Sequence, residues 1–404
     1  MALTVPLSIG PDRLGRTVAV VDGLIVGEAP PEATGLQTRL PCADGEIGPG
    51  AVCAHTHLYS GLVRYGMPQP VPAPENFLQI LERVWWRLDR ALDAESLRAG
   101  AMDYVARALL AGTTTLVDHH ESPNMIDGSL EILAGVCEQL GMRALLCYGA
   151  TERNDGAAEA DRGLAECRRC SHDLPSSKLV RGMVGLHASF TVSDETIRAA
   201  GRLAEELGTV MHVHVAEDRA DVADAIRRGY RGPLERLETL GALPCGSILA
   251  HGVHLDRAQV SRCEQRGFWL VHNPRSNAGN RVGYAANLGA SDRVALGTDG
   301  WDADMMVEQE ELLRLARIHG DDQARGRLAH GHALIAERFG AEPKPLQPGA
   351  LGDVVVRQDG AVRHVVVGGR VVVRNGALVT GEFDAITADA EQQAARLWQR
   401  MAKI

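Results

Sequence analysis

Between residue 50 and about residue 345, continuous apolar runs alternate with longer stretches of helical period, the order of repeated strand-helix units. Eight runs read as strands. They end in "AVCAHTH", "TTTLVDHH", "RALLCYGATER", "GMVGLHASF", "VMHVHVAED", "SILAHGVHL", "FWLVHNPRSN" and "RVALGTDGWD". Each is rich in Val, Leu and Ile without polar alternation, as strands buried on both faces must be. Between them lie segments such as "DAESLRAGAMDYVARALLAG", where Asp93 predicts an N-cap and Gly112 a helix stop. Eight such units predict an α/β fold, the (β/α)8 barrel, whose active sites are built by the loops after the strand ends.

The flanks follow another pattern. Residues 1–48 contain the β-like "TVAVVDGLIVGEA", and residues 349–379 are β-branched runs punctuated by glycine, as hairpins require. Pairing of these pieces predicts a small composite β-sandwich domain built from both termini. The expected division is 1–48 for its N-terminal part, 49–346 for the barrel, and 347–404 for its C-terminal part and a closing helix, "AITADAEQQAARLWQRMAKI".

Polar residues crowd the predicted strand ends. His55 and His57, at i and i+2, point to the same side of a strand, where neutral imidazoles make good ligands for a divalent metal. The fifth strand repeats the feature with His212 and His214. The sixth ends in His251 and His254, and the eighth in Asp299, a hard oxygen ligand or proton acceptor. One histidine on an apolar strand is ordinarily a hydrogen-bonded core residue; several at barrel mouths, with an acid on the last strand, point to a metal hydrolase.

Charge and cysteine usage narrow the classes further. With 42 Lys+Arg against 52 Asp+Glu and no long like-charge run, the chain offers nothing for a polyanion, which argues against nucleic acid. No window reaches about 18 uninterrupted apolar residues, and "MALTVPLSIGPDRLGR" lacks the basic start and long apolar stretch of a secretory signal, so no membrane partner and a cytoplasmic location are expected. Of eight cysteines only Cys167 and Cys170 form a CxxC, read as an exposed helix end rather than a redox site.

These motifs together resemble the amidohydrolase superfamily, specifically its guanine deaminase, chlorohydrolase and S-adenosylhomocysteine deaminase branch, over nearly the whole chain. Further likeness to an aminohydrolase of that branch runs through "HLYSGL", "ERVWWRLDRAL", "DHHESP", "VHNPRSN" and "VGY", without supplying a substrate. The resemblance implies His55, His57, His214 and Asp299 as ligands of one divalent metal per chain, zinc first and iron second. It makes Glu217, three residues after His214, the proton shuttle, with His251 and Asp299 completing the catalytic group, and it leaves His212 as a deeper barrel residue. Such a site would attack an amidine-like C–N bond of a nitrogen heterocycle with metal-bound hydroxide. Cyclic amide hydrolysis and halide displacement would use the same residues, and a non-catalytic scaffold would be expected to have lost them.

Two-metal members use a fourth-strand lysine, whereas this chain has only Lys178, Lys344 and Lys403, with His187 at the fourth strand end. Purine deaminases of the branch carry Gln three residues after the second histidine; Ser60 stands here, against ordinary guanine deamination. Candidate substrate-binding residues are His120, His187, Arg153 and Trp86, with Trp85, Asn277, Tyr284 and Trp301 as further pocket groups, while Asn273 and Asn277 are expected to fix their loop. The family's habit implies a homodimer or larger homo-oligomer.

Overall fold

The eight apolar runs form a ring of parallel strands: Ala51–Thr56, Thr113–His120, Arg143–Ala150, Val184–Ala188, Met211–Val215, Ile248–His251, Trp269–His272 and Val294–Leu296. The computed structural model describes residues 6–27, 38–173 and 177–404. Each strand pairs with the next in sequence, and the first and eighth meet through a parallel bridge between Thr56 and Asp299. Amides of Thr298 and Asp299 both donate to the His55 carbonyl, at 2.9 and 3.0 Å. That seam is tight enough to require glycine at 297, where a Cβ would lie 2.5 Å from Asn273 Oδ1 and 2.8 Å from the His55 nitrogen. The (β/α)8 barrel is therefore all but closed, with the polar strand ends gathered at one mouth.

Local signals act where the sequence put them. Asp93 and Ser96 form a reciprocal capping box on helix Ala94–Ala111, which ends at Gly112 with φ +89°, a conformation glycine adopts without a Cβ penalty. The flanks build two sheets. One carries Leu24–Val26, Val18–Val21, Leu7–Ile9 and Thr38–Leu40; the other carries Ala377–Leu378, Arg370–Arg374, Ala361–Val367, Val354–Gln358 and Glu46–Pro49. Glu46–Pro49 pairs antiparallel with Val354–Gln358, so the two chain ends share a sheet. Leu7, Ile9, Val20, Ile25 and Leu40 meet Val354, Val356 and Val366 in a separate apolar core. The end of "TVAVVDGLIVGEA" lies outside the described residues.

A buried ion pair ties the two parts together. Arg143, at the start of the third barrel strand, donates to both Asp353 oxygens, at 2.7 and 2.8 Å. Helix Phe383–Met401 closes the chain against helix Ala94–Ala111. One expectation is corrected: Cys167 and Cys170 are buried rather than exposed, because their i, i+3 spacing turns both to the inner face of helix Ala157–Asp173. Among the described residues, no helix is long and apolar enough to cross a membrane.

Candidate active site

Four imidazoles aim their Nε2 atoms into the barrel mouth, and each is held through Nδ1. His57 Nδ1 donates to the His119 carbonyl (2.5 Å) and His214 Nδ1 to the His187 carbonyl (2.6 Å). His251 Nδ1 donates to Asn277 Oδ1 (2.9 Å), and His55 Nδ1 meets His212 Nε2 at 3.0 Å. Asn277 thus orients a histidine, while its own Nδ2 has no hydrogen-bond partner. Asp299 Oδ1 sits among the rings, 2.8 Å from His57 Nε2 and 3.3 Å from His55 Nε2, while Oδ2 accepts from Ser276. His214 Nε2 is 3.3 Å from His57 Nε2. His251 and Asp299 reach these positions from left-handed backbone, φ +75° and +55°, which costs on the order of 1–3 kcal/mol each and marks strand ends bent for a purpose.

The donor set fits a divalent cation. Atoms of His55, His214, His251 and Asp299 lie within 4.8 Å of one another, all from buried residues, and His55 Nε2 and His251 Nε2 have no hydrogen-bond partner. Such orphaned buried nitrogens cost free energy unless something binds them. Charge points the same way. Burial pushes His55 down to about 3 and His214 well below the ordinary histidine range, so both present neutral lone pairs. Burial also opposes charge on His57, but the hydrogen bond to Asp299 and its charge prevail and raise it to about 9. Against burial, contacts from His55 and His57 hold the Asp299 carboxyl well below the carboxylate range. A fixed carboxylate that draws a proton onto His57 is a place for positive charge, which a cation supplies when it displaces that proton.

Glu217 follows on the same rim. Its Oε1 accepts from Asn280 Nδ2 (3.2 Å), and Oε2 lies 3.6 Å from His251 Nε2. Burial, with Asp299 adding to it, pushes this carboxyl up to about 7 despite His251. The preceding residue, Ala216, has φ +50°, and its amide donates to Asp221 Oδ2 (2.8 Å), which turns the chain back toward the mouth.

A cleft partly open to solvent leads to this cluster. His57, His214, Glu217 and Asp299 form its floor; Trp85, Trp86, His187 and Phe190 are among its walls. Two candidates are placed elsewhere. His120 is fully buried with Nε2 on Ser122 Oγ (2.8 Å), because strand alternation turns His119 inward and His120 outward. Arg153 lies behind the wall, paired with Asp89 (2.8 Å) and stacked on Trp86 at 4.8 Å. Tyr284 bonds Asp321 and Trp301 is half exposed; neither lines the cleft. Ser60 Oγ is spent on the His57 and Gly300 carbonyls.

Glu121 and His119 escaped the sequence reading. Glu121 lines the cleft one residue beyond the second strand, with Oε1 3.2 Å from His119 Nδ1 and Oε2 3.5 Å from Arg153. Burial works against its charge, but His187, His119 and Arg153 keep it ionised. An acid directly after a strand end was the available signal.

A cation position built from strand-end histidines and an aspartate, at the mouth of a (β/α)8 barrel, defines a metal-dependent hydrolase. Residues 47–332 match the amidohydrolase family, and the chain belongs to it. Relatives include a 5'-deoxyadenosine deaminase of Methanopyrus kandleri, 28% identical with 87% of this chain and 86% of its own covered. An 8-oxoguanine deaminase of Pseudomonas aeruginosa is 29% identical over 81% of this chain and 78% of its own. Among solved structures, an adenosine deaminase from Xanthomonas campestris with bound zinc superposes with TM-score 0.82 at 23% identity, covering 98% of each chain. The atrazine chlorohydrolase of Arthrobacter aurescens, complexed with zinc, gives 0.76 at 18%, covering 97% of this chain and 98% of its own. At these identities the two structures speak to the fold.

Proposed function

We propose that the chain is a deaminase, an aminohydrolase of a nitrogen heterocycle that replaces an amino group on an amidine-like ring carbon by oxygen. Water adds to that carbon, the exocyclic C–N bond breaks, and ammonia leaves with the proton taken from the water. His55, His57, His214 and Asp299 would hold a divalent cation, which when bound would supply Lewis acidity and lower the pKa of water toward neutrality. Zinc is the proposed ion, iron the alternative, at one per chain.

The observation that carries this reading is Glu217, a carboxyl raised to about 7 on the floor of the cleft, 3.6 Å from His251 Nε2. A base of that strength takes one proton from the attacking water and delivers it to the ring nitrogen, then takes the second from the hydroxyl now on the carbon and delivers it to the leaving amine. His251, fixed through Nδ1 by Asn277, directs Nε2 at the attacked centre. Asp299 orients the water through Oδ1, since Ser276 engages its other oxygen.

His187 and Trp86 are the proposed substrate contacts on the walls. Thr191 Oγ1 donates to the Ala188 carbonyl, so His187 Nδ1 donates to Thr191 Oγ1 at 2.9 Å and its Nε2 remains a hydrogen-bond acceptor. His120 and Arg153 act, in this reading, by supporting those walls. The enzyme is proposed to be cytoplasmic and a homodimer or larger homo-oligomer, acting on a small heterocycle.

The test is turnover of a heterocycle panel by zinc-loaded protein with ammonia, chloride and ring-opening assays in parallel. Ammonia release from an amino-substituted ring is expected. Chloride or ring-opened product as the only outcome would transfer the same residues to the alternative reactions, and no turnover by a metal-replete protein would favour a scaffold.

A further inference from the structure

His57 and His214 are oriented by backbone carbonyls, which can only accept, so their Nδ1 keeps a proton and Nε2 is the nitrogen left to meet a cation. His55 has no such carbonyl. Its Nδ1 faces another imidazole nitrogen, His212 Nε2, at 3.0 Å, and an imidazole can donate or accept. Whether His55 offers a lone pair to a cation therefore depends on what fixes His212.

The next contact decides it. His212 Nδ1 lies 3.7 Å from Cys147 Sγ, and Cys147 Sγ lies 3.5 Å from the Asp118 carbonyl. The carbonyl only accepts, so the thiol hydrogen points to Asp118 and a sulfur lone pair is left facing His212. Cys147 is fully buried, and burial holds it as a thiol. We infer that Cys147 and His212 form a one-directional hydrogen-bond relay that sets the tautomer of His55 and makes its Nε2 a metal donor. From the outside inward, Cys147 donates to Asp118, His212 Nδ1 donates to Cys147, and His55 Nδ1 donates to His212 Nε2. His212 is thereby a positioning residue, one layer below His214 on the fifth strand. Reversal of the chain would put a hydrogen on His55 Nε2, pointing at Asp299, and close that nitrogen to a cation.

The inference rests on the cation reading of the site, and the experiment separates the two. Zinc affinity of metal-stripped protein is measured by competition with a chromophoric chelator for wild type, His212→Phe, His212→Gln and Cys147→Val. Phenylalanine fills the space without an acceptor, and the affinity is expected to fall about 10–100-fold, the usual effect of losing a ligand's outer partner. Glutamine places a carbonyl oxygen near the Nε2 position and should stay within a few-fold of wild type. Cys147→Val, which removes only the bias on His212, should fall between. Equal affinity in His212→Phe and wild type would overturn the relay, while no zinc binding by wild type would overturn the cation reading itself. Should His212→Phe fail to fold, nitrogen-15 spectra of histidine-labelled, zinc-loaded wild type decide alone. Protonated Nδ1 on both His55 and His212 is expected, and a protonated Nε2 on His212 contradicts the relay.

Discussion

Replacing Glu217 by glutamine removes the proposed base while leaving its surroundings intact. The amide keeps the size of the side chain, and its oxygen still accepts from Asn280 Nδ2 at the 3.2 Å position. It cannot take a proton from water. A positioned acid-base group contributes about 10²–10⁴ in rate, so the substitution should raise the barrier by about 3–5 kcal/mol. The pH profile gives a second magnitude. The carboxyl is raised to about 7 by burial, with Asp299 adding to the effect, and it is the ionised form that accepts the proton. Activity therefore rises with pH as Glu217 ionises, about tenfold between pH 6 and pH 8 for a base of pKa 7. A bound cation draws that limb lower, never higher. The assay is kcat and kcat/KM for Glu217→Gln and wild type from pH 5 to 9, with zinc content measured on the same samples. A drop of at least 100-fold with loss of the acid limb and unchanged zinc is expected. Near wild-type turnover with unchanged zinc would rule out Glu217 as the base and pass the proton to His251.

Asp299→Asn should lose zinc as well as turnover, because it removes the ligand charge, and elemental analysis of the purified variant checks this. Asn277→Ala frees His251 Nδ1, now bonded at 2.9 Å, and should lower kcat about tenfold while the far-ultraviolet spectrum stays unchanged. Asp353→Ala leaves Arg143 buried without its carboxylate and should cost about 3–5 kcal/mol, read as an earlier denaturant transition.

Periodicity was sufficient for the barrel because both faces of each strand are covered, which leaves an uninterrupted apolar run as its signature. Helix Ala94–Ala111 was legible at both ends for the same kind of local reason: an N-cap acid and a left-handed glycine. The site was legible in part, since strand alternation brings His55 and His57 to one side. The second strand shows where such reading stops. "DHHES" contains two histidines and an acid in sequence, and which of them faces the mouth depends on a register that composition does not reveal; His119 and Glu121 turn inward, His120 outward. Arg153 needed a partner to be understood, and Asp89 is 64 residues away in the chain. The hydrogen bonds around His212 likewise join three strands, and no local pattern encodes them.

If the strand-end histidines and Asp299 hold one cation that drives hydrolysis, titration of metal-stripped protein with zinc reads it out while ammonia release from the best panel heterocycle is followed. Activity should rise linearly and level off at one equivalent per chain. Full activity without zinc, or a rise that continues to two equivalents, would contradict it.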